Sequence, residues 1–169
     1  LKNDCDGTFS DVTAAAGIVD VQAYDDCGDP ANVRSPTAAA AFVDLDADGF
    51  LDIYQANFIC WSTYTYYIDT IWHNLGDGTF ESWTTGHGFA MTGTPSRGAA
   101  PVDADRDGDV DLFVNNYVLK QNLYFQNQGD GTVVQMGGPL GVAGHQSGLY
   151  YGHTIGAAWG DLDDDGDFD

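Results

Sequence analysis

The sequence predicts an all-β fold of short antiparallel strands arranged in tandem repeats, and three observations carry that prediction. The acids are almost all Asp: of 26 acidic residues only Glu81 is Glu, and Asp is a poor helix former that favours turns and caps. Gly is abundant at 22 residues. Asp-Gly pairs recur between short apolar runs, and such pairs tolerate the positive φ that type I′ hairpin turns require.

The repeat defines the elements. Three segments align without gaps: Ala39-Ala40-Ala41-Phe42-Val43-Asp44, Gly98-Ala99-Ala100-Pro101-Val102-Asp103 and Gly156-Ala157-Ala158-Trp159-Gly160-Asp161. Each runs into an Asp-rich loop, and the loops begin 59 and 58 residues apart. An Asn-x-x-Asp-Gly-Thr hairpin recurs at Asn3–Phe9, Asn74–Phe80 and Asn127–Val133. Residues 1–13 read as strands three and four of one unit. Residues 37–83 hold strands at 37–43, 51–58, 68–74 and 78–83; residues 97–136 hold strands at 97–102, 110–117, 121–127 and 131–136. Residues 154–169 supply strands one and two of a further unit. The connections 14–36, 84–96 and 137–153 link the units. Four short antiparallel strands per repeat is the blade of a β-propeller, so the chain reads as two complete blades and two half-blades.

The loops carry the chemistry. They read Asp44-Leu45-Asp46-Ala47-Asp48-Gly49-Phe50-Leu51-Asp52, Asp103-Ala104-Asp105-Arg106-Asp107-Gly108-Asp109-Val110-Asp111 and Asp161-Leu162-Asp163-Asp164-Asp165-Gly166-Asp167-Phe168-Asp169. Carboxylates at positions 1, 3 and 5 converge, Gly at position 6 permits a sharp turn, and position 9 returns a final carboxylate. All-oxygen, multi-anionic ligand sets select Ca²⁺, giving three expected sites. An EF-hand is excluded because its bidentate Glu at position 12 is Gln55 or Val114 here, and the flanks are strand-like.

The Gly-Ala-Ala run before Asp-x-Asp-x-Asp-Gly-x-x-Asp, together with the Asn-x-Gly-Asp-Gly-Thr hairpin, resembles the FG-GAP/VCBS repeat family, which includes calcium-bearing blades of integrin α-subunit propellers. The resemblance implies blades with Ca²⁺ held between strands one and two. It implies the ligand sets Asp44, Asp46, Asp48 and Asp52; Asp103, Asp105, Asp107 and Asp111; and Asp161, Asp163, Asp165 and Asp169. Phe50, Asp109 and Asp167 would ligate through their backbone carbonyls, leaving their side chains replaceable. The chain holds the equivalent of about three blades, short of the family's closed ring.

Composition narrows the function. Five Lys and Arg against 26 acids give a net charge of −21, which excludes phosphate-neutralising nucleic-acid binding and demands cations among the acids. No apolar run approaches the length of a transmembrane span. Three cysteines match no zinc spacing, and together with calcium they point to a secreted or cell-surface protein. Propeller topology puts Cys27 and Cys60 on one face and Cys5 on the other, so the expected disulfide is Cys27–Cys60. His73, His87, His145 and His153 show no regular ligand spacing and read as surface or packing residues. The stretch Trp61–Tyr67 is either a packed strand, the preferred reading, or an aromatic anchor for a sugar or partner.

The function expected is non-enzymatic: adhesion, ligand binding or assembly, with protein or carbohydrate as ligand. A carbohydrate-active enzyme or its accessory domain is the rival, requiring a carboxylate in an apolar pocket outside the loops. The half-blades at the two ends raise two further readings. One is an excerpt of a longer propeller; the other is a head-to-tail ring or filament in which half-blades complete one another.

Overall fold

The computed structural model describes residues 1–19, 37–89 and 92–169. Among these residues the fold is all-β, every strand pair is antiparallel, and no helix occurs. A hairpin of β1 (Lys2–Asn3) and β2 (Phe9–Ser10) opens the chain. The first four-stranded sheet orders β3 (Thr37–Val43), β4 (Asp52–Asn57), β7 (Thr70–Asn74) and β8 (Phe80–Ser82). Between β4 and β7 the chain inserts a small hairpin, β5 (Ile59–Cys60) with β6 (Thr65–Tyr66). The second sheet orders β9 (Ser96–Val102), β10 (Asp111–Asn116), β11 (Leu123–Asn127) and β12 (Val133–Gln135). Both sheets are simple meanders.

The eight sheet strands lie within two residues of where the sequence places them. Strands β8 and β12 start late because Gly78 and Gly131 adopt positive φ, at 90° and 79°, and belong to the turn. Residues 154–169 differ from expectation: they contain no strand. Thr154 N–H donates to the Asn116 carbonyl and Asp169 N–H to the Gly160 carbonyl, but a two-stranded ribbon lacking its third strand is marginal. No closed propeller forms among the described residues, and residues 1–13 pair with themselves rather than with 154–169.

Alternation along β4 and β10 sets how the sheets stack. Tyr54 and Ala56 face one way and meet Leu112 and Val114 of the second sheet, with Ile71, Leu123, Phe125 and Val133 completing a shared core. Phe89, from the connection, wedges between the sheets at 6.0 Å from Tyr54 and 5.2 Å from Phe125. The opposite face of the second sheet presents Phe113 and Tyr124, and Trp159 from the third repeat covers them, edge-on to Phe113 at 5.7 Å. The same face of each sheet thus meets the next repeat.

The connections repeat the same logic. Phe80 N–H donates to the Ala16 carbonyl, and Val133 N–H donates to the His87 carbonyl. Gly17 and Gly88 follow, each at positive φ, with a Cβ that would lie 3.0 Å from the Phe80 carbonyl oxygen or 1.9 Å from that of Val133. The connection after the N-terminal hairpin thus meets β8 as the connection after the first sheet meets β12.

At the sheet ends away from the Asp loops, a hydroxyl, an Asn and an Asx residue meet in each sheet. Thr37 Oγ1 donates to Asn57 Oδ1 and Ser96 Oγ to Asn116 Oδ1, both at 3.0 Å. Asn57 N–H donates to Asp69 Oδ1 at 2.7 Å, and Asn116 N–H to Asn122 Oδ1 at 3.0 Å. Within Trp61–Tyr67, Tyr67 is buried as packing requires. Trp61 and Tyr64 stand exposed on the β5–β6 turn, edge to face at 6.0 Å. Cys5 is a free, exposed thiol; Cys27 lies outside the described residues, and with it the expected pairing to Cys60.

Candidate metal centres

The three Asp loops share one backbone. Position 4 adopts positive φ at Ala47 (57°), Arg106 (61°) and Asp164 (61°), and position 6 does so at Gly49 (89°), Gly108 (98°) and Gly166 (89°). Two left-handed residues so close together curl the chain around a centre. Position 1 fixes that curl: the position-6 N–H donates to Asp44 Oδ2 (3.0 Å), Asp103 Oδ2 (3.2 Å) and Asp161 Oδ2 (2.9 Å). Position 5 accepts the position-7 N–H at Asp48 (2.8 Å), Asp107 (2.9 Å) and Asp165 (3.1 Å).

The curl gathers ligand atoms. Oxygens of Asp103, Asp105 and Asp107 lie within 4.8 Å of one another, as do those of Asp161, Asp163 and Asp169. In the first loop the grouped set is Asp46, Asp48 and a ring nitrogen of His73. Asp44 Oδ1, Asp46 Oδ1 and Asp103 Oδ1 are buried and hydrogen-bond to nothing. A buried carboxylate oxygen without a donor is costly, and a bound cation is the natural partner, so these loops fit a divalent ion. The third loop has the same turns but stands exposed.

Asp52 and Asp111, at position 9, do a different job from the other loop carboxylates. Both are buried. Asp52 Oδ2 accepts Leu45 N–H at 3.0 Å, while Oδ1 accepts Asn74 N–H at 2.8 Å and faces His73 Nδ1 at 3.0 Å. Asp111 Oδ2 accepts Ala104 N–H at 3.3 Å and the Tyr124 hydroxyl; Oδ1 accepts Asn127 N–H at 2.9 Å. Burial pushes both carboxyls above the usual range, and these hydrogen bonds oppose it. Asp169 repeats the pattern only in part, accepting Leu162 N–H at 2.9 Å.

Position 7 packs its side chain as well as presenting a carbonyl. The Phe50 ring lies against Gly76, where a Cβ would come within 2.6 Å, and the Asp109 carboxylate lies against Gly129 in the equivalent place. Asp167 reaches Arg106 of the second loop at 3.5 Å.

Residues 56–114 match the FG-GAP-like repeat family. This segment is similar to an FG-GAP-like repeat. It runs from within β4 to within β10, one full period containing the second Asp loop, so the FG-GAP-like repeat and the structural repeat coincide. No curated protein matches the chain.

His73 is the site residue the sequence alone does not mark. A single His with no partner at fixed spacing carries no metal signature. The available signal was positional: it immediately precedes Asn74, so the hairpin brings it back over the first Asp loop.

Proposed function

We propose that this chain is a calcium-stabilised, propeller-type repeat module of a secreted or cell-surface protein, a non-enzymatic scaffold for binding or assembly. The observation that supports it most is the pair of buried, unpartnered oxygens at the same place in two loops, Asp44 Oδ1 and Asp103 Oδ1. Ca²⁺ would be held by Asp44, Asp46 and Asp48 in the first loop, by Asp103, Asp105 and Asp107 in the second, and by Asp161, Asp163, Asp165 and Asp169 in the third. Carbonyls of Phe50, Asp109 and Asp167 would contribute. Three such ions would offset part of the −21 net charge where it is densest. FG-GAP-like repeats are usually found in extracellular or surface proteins, which agrees with this reading.

The propeller reading is supported by the stacking. One sheet's Tyr54 face meets the next sheet's Leu112 face, and the equivalent Phe113 face of the second sheet takes Trp159 in turn. A non-enzymatic role is supported by Asp69. Its carboxyl is pushed up to about 6 by burial, yet Tyr54, Asn57 and Ser96 enclose it, so it is not presented to a substrate.

The test is thermal unfolding in millimolar Ca²⁺ and in excess EDTA. An ion at a thousand times its Kd adds about 4 kcal/mol, which for a chain this size raises the midpoint by on the order of 10 °C. Asp103→Asn should remove part of that rise. Identical midpoints with and without Ca²⁺ would reject the calcium role.

A further inference from the structure

The two sheets differ where their loops should be most alike. His73 is the penultimate residue of β7, just before Asn74, and Gln126 holds the same place before Asn127 in β11. Gln126 Nε2 donates to Asp105 Oδ2 at 2.5 Å. A carboxamide offers a metal only oxygen, so the second loop keeps an all-oxygen donor set whichever way that amide turns.

His73 changes the first loop's donor set. Its ring nitrogen groups with Asp46 and Asp48 within 4.8 Å, and Nδ1 lies 3.9 Å from Asp46 Oδ2. The side chain is only 10% exposed. It is also clamped: its ring stacks on Trp83 at 3.8 Å and 11°, and Trp83 stacks on His87 at 4.3 Å and 9°. His87 Nδ1 is held in turn by the Gly131 carbonyl at 2.8 Å, and Asp52 Oδ1 steadies His73 Nδ1 at 3.0 Å. With Nδ1 held by Asp52, Nε2 is the nitrogen left to ligate, and a ring fixed through its other nitrogen by a carboxylate is how ligating histidines are oriented. Beside it, Asp46 Oδ1 is buried with no hydrogen-bond partner.

We infer that His73 makes the first loop a mixed nitrogen–oxygen site that can hold Ca²⁺ as proposed above but binds a borderline divalent ion more tightly, with Zn²⁺ as the representative, whereas the second loop stays a Ca²⁺ site. This rests on reading the Asp loops as metal sites. Imidazole suits zinc and other first-row ions, while calcium favours oxygen alone.

The experiment uses metal-free chain and isothermal titration with Zn²⁺ in the presence of millimolar Ca²⁺, with Co²⁺ absorption reporting nitrogen ligation. The parent should bind a Zn²⁺ that Ca²⁺ does not displace. His73→Gln, copying the second sheet, should weaken that binding by roughly tenfold or more, while circular dichroism shows the fold kept. Gln126→His should give the second loop a Zn²⁺ site of its own, a gain that damaged folding cannot mimic. Equal Zn²⁺ affinity in parent and His73→Gln, or no gain in Gln126→His, overturns the inference. Ca²⁺ binding without the Zn²⁺ site sinks the inference and leaves the calcium reading standing; binding of neither ion sinks both.

Discussion

Asp52 Oδ1 accepts the backbone N–H of Asn74 at 2.8 Å, joining the last residue of the first Asp loop to the first residue of the next hairpin. Asp111 and Asn127 repeat this at 2.9 Å. The two motifs, separate in sequence, are therefore one structural unit. The Asn side chain completes the joint from its other side. Asn74 Nδ2 donates to the Leu51 carbonyl at 3.0 Å and Asn127 Nδ2 to the Val110 carbonyl at 3.2 Å. Each Asn Oδ1 also accepts a turn N–H, from Gly76 at 3.0 Å and Gly129 at 3.1 Å.

Asn74→Ala and Asn127→Ala should each lower stability by about 1–3 kcal/mol, because a carbonyl and an N–H lose their partners together. Asn74→Asp keeps the acceptor and loses the donor, so it should fall between parent and Asn74→Ala. Urea midpoints give the ordering, and an Asn74→Ala midpoint equal to the parent's would dismiss the joint.

Gly88 and Gly141 share positive φ, at 88° and 77°, but not their surroundings. A Cβ on Gly88 would lie 1.9 Å from the Val133 carbonyl oxygen, whereas Gly141 has open space. Gly88→Ala should therefore shift backbone and cost well over 2 kcal/mol, while Gly141→Ala carries only the left-handed penalty of about 1 kcal/mol. Chemical denaturation of both variants checks the contrast, and similar losses would contradict the close approach.

Much of this fold could be read from the sequence because its signals are local. Asp-Gly-Thr turns announce themselves: Thr8, Thr79 and Thr132 each donate N–H and hydroxyl to the Asp two residues earlier. Those bonds hold Asp6, Asp77 and Asp130 below the usual carboxylate range. The loops were legible for the same reason, since spacing within nine residues fixes their curl. What stayed hidden is set by long-range placement. The His73–Trp83–His87 stack joins β7 to the connection after β8 and is anchored by the Gly131 carbonyl of the second repeat, and nothing in the spacing of its members announces it. Strands at 154–169 were over-read because a repeat motif is local, whereas strand formation requires partners across the sheet.

Cys5 occupies the turn position that Gly76 and Gly129 fill in the other hairpins, at φ 62°. A side chain there costs about 1 kcal/mol that Gly avoids, partly offset by the greater freedom of Gly in the unfolded chain. Cys5→Gly should therefore protect the amides of 2–10 from hydrogen exchange at least as well as the parent does. Faster exchange in the variant would show that the thiol contributes something the fold does not reveal.

Asp69 is where the two sheets differ in charge. Tyr54 donates its hydroxyl to Asp69 Oδ2 at 2.5 Å and Ser96 donates to the same oxygen at 2.7 Å; the second sheet has Phe113 and Asn122 in the places of Tyr54 and Asp69. Burial pushes the Asp69 carboxyl up from 3.8 to about 6 despite three hydrogen bonds that favour its ionised form. A raised folded-state value means the folded chain holds this proton more tightly than the unfolded chain. The resulting stability is complete below about pH 4 and is lost as pH rises through about 6, some ~3 kcal/mol for a shift of this size. Asp69→Asn, copying Asn122, cannot ionise. At saturating Ca²⁺ its stability relative to the parent should climb by about that amount between pH 4 and 7.5 and then level off. The difference between the two proteins is the quantity to measure, because it cancels the pH dependence of the metal loops they share. A difference that stays flat across this range would mean the Asp69 carboxyl titrates as it does in the unfolded chain.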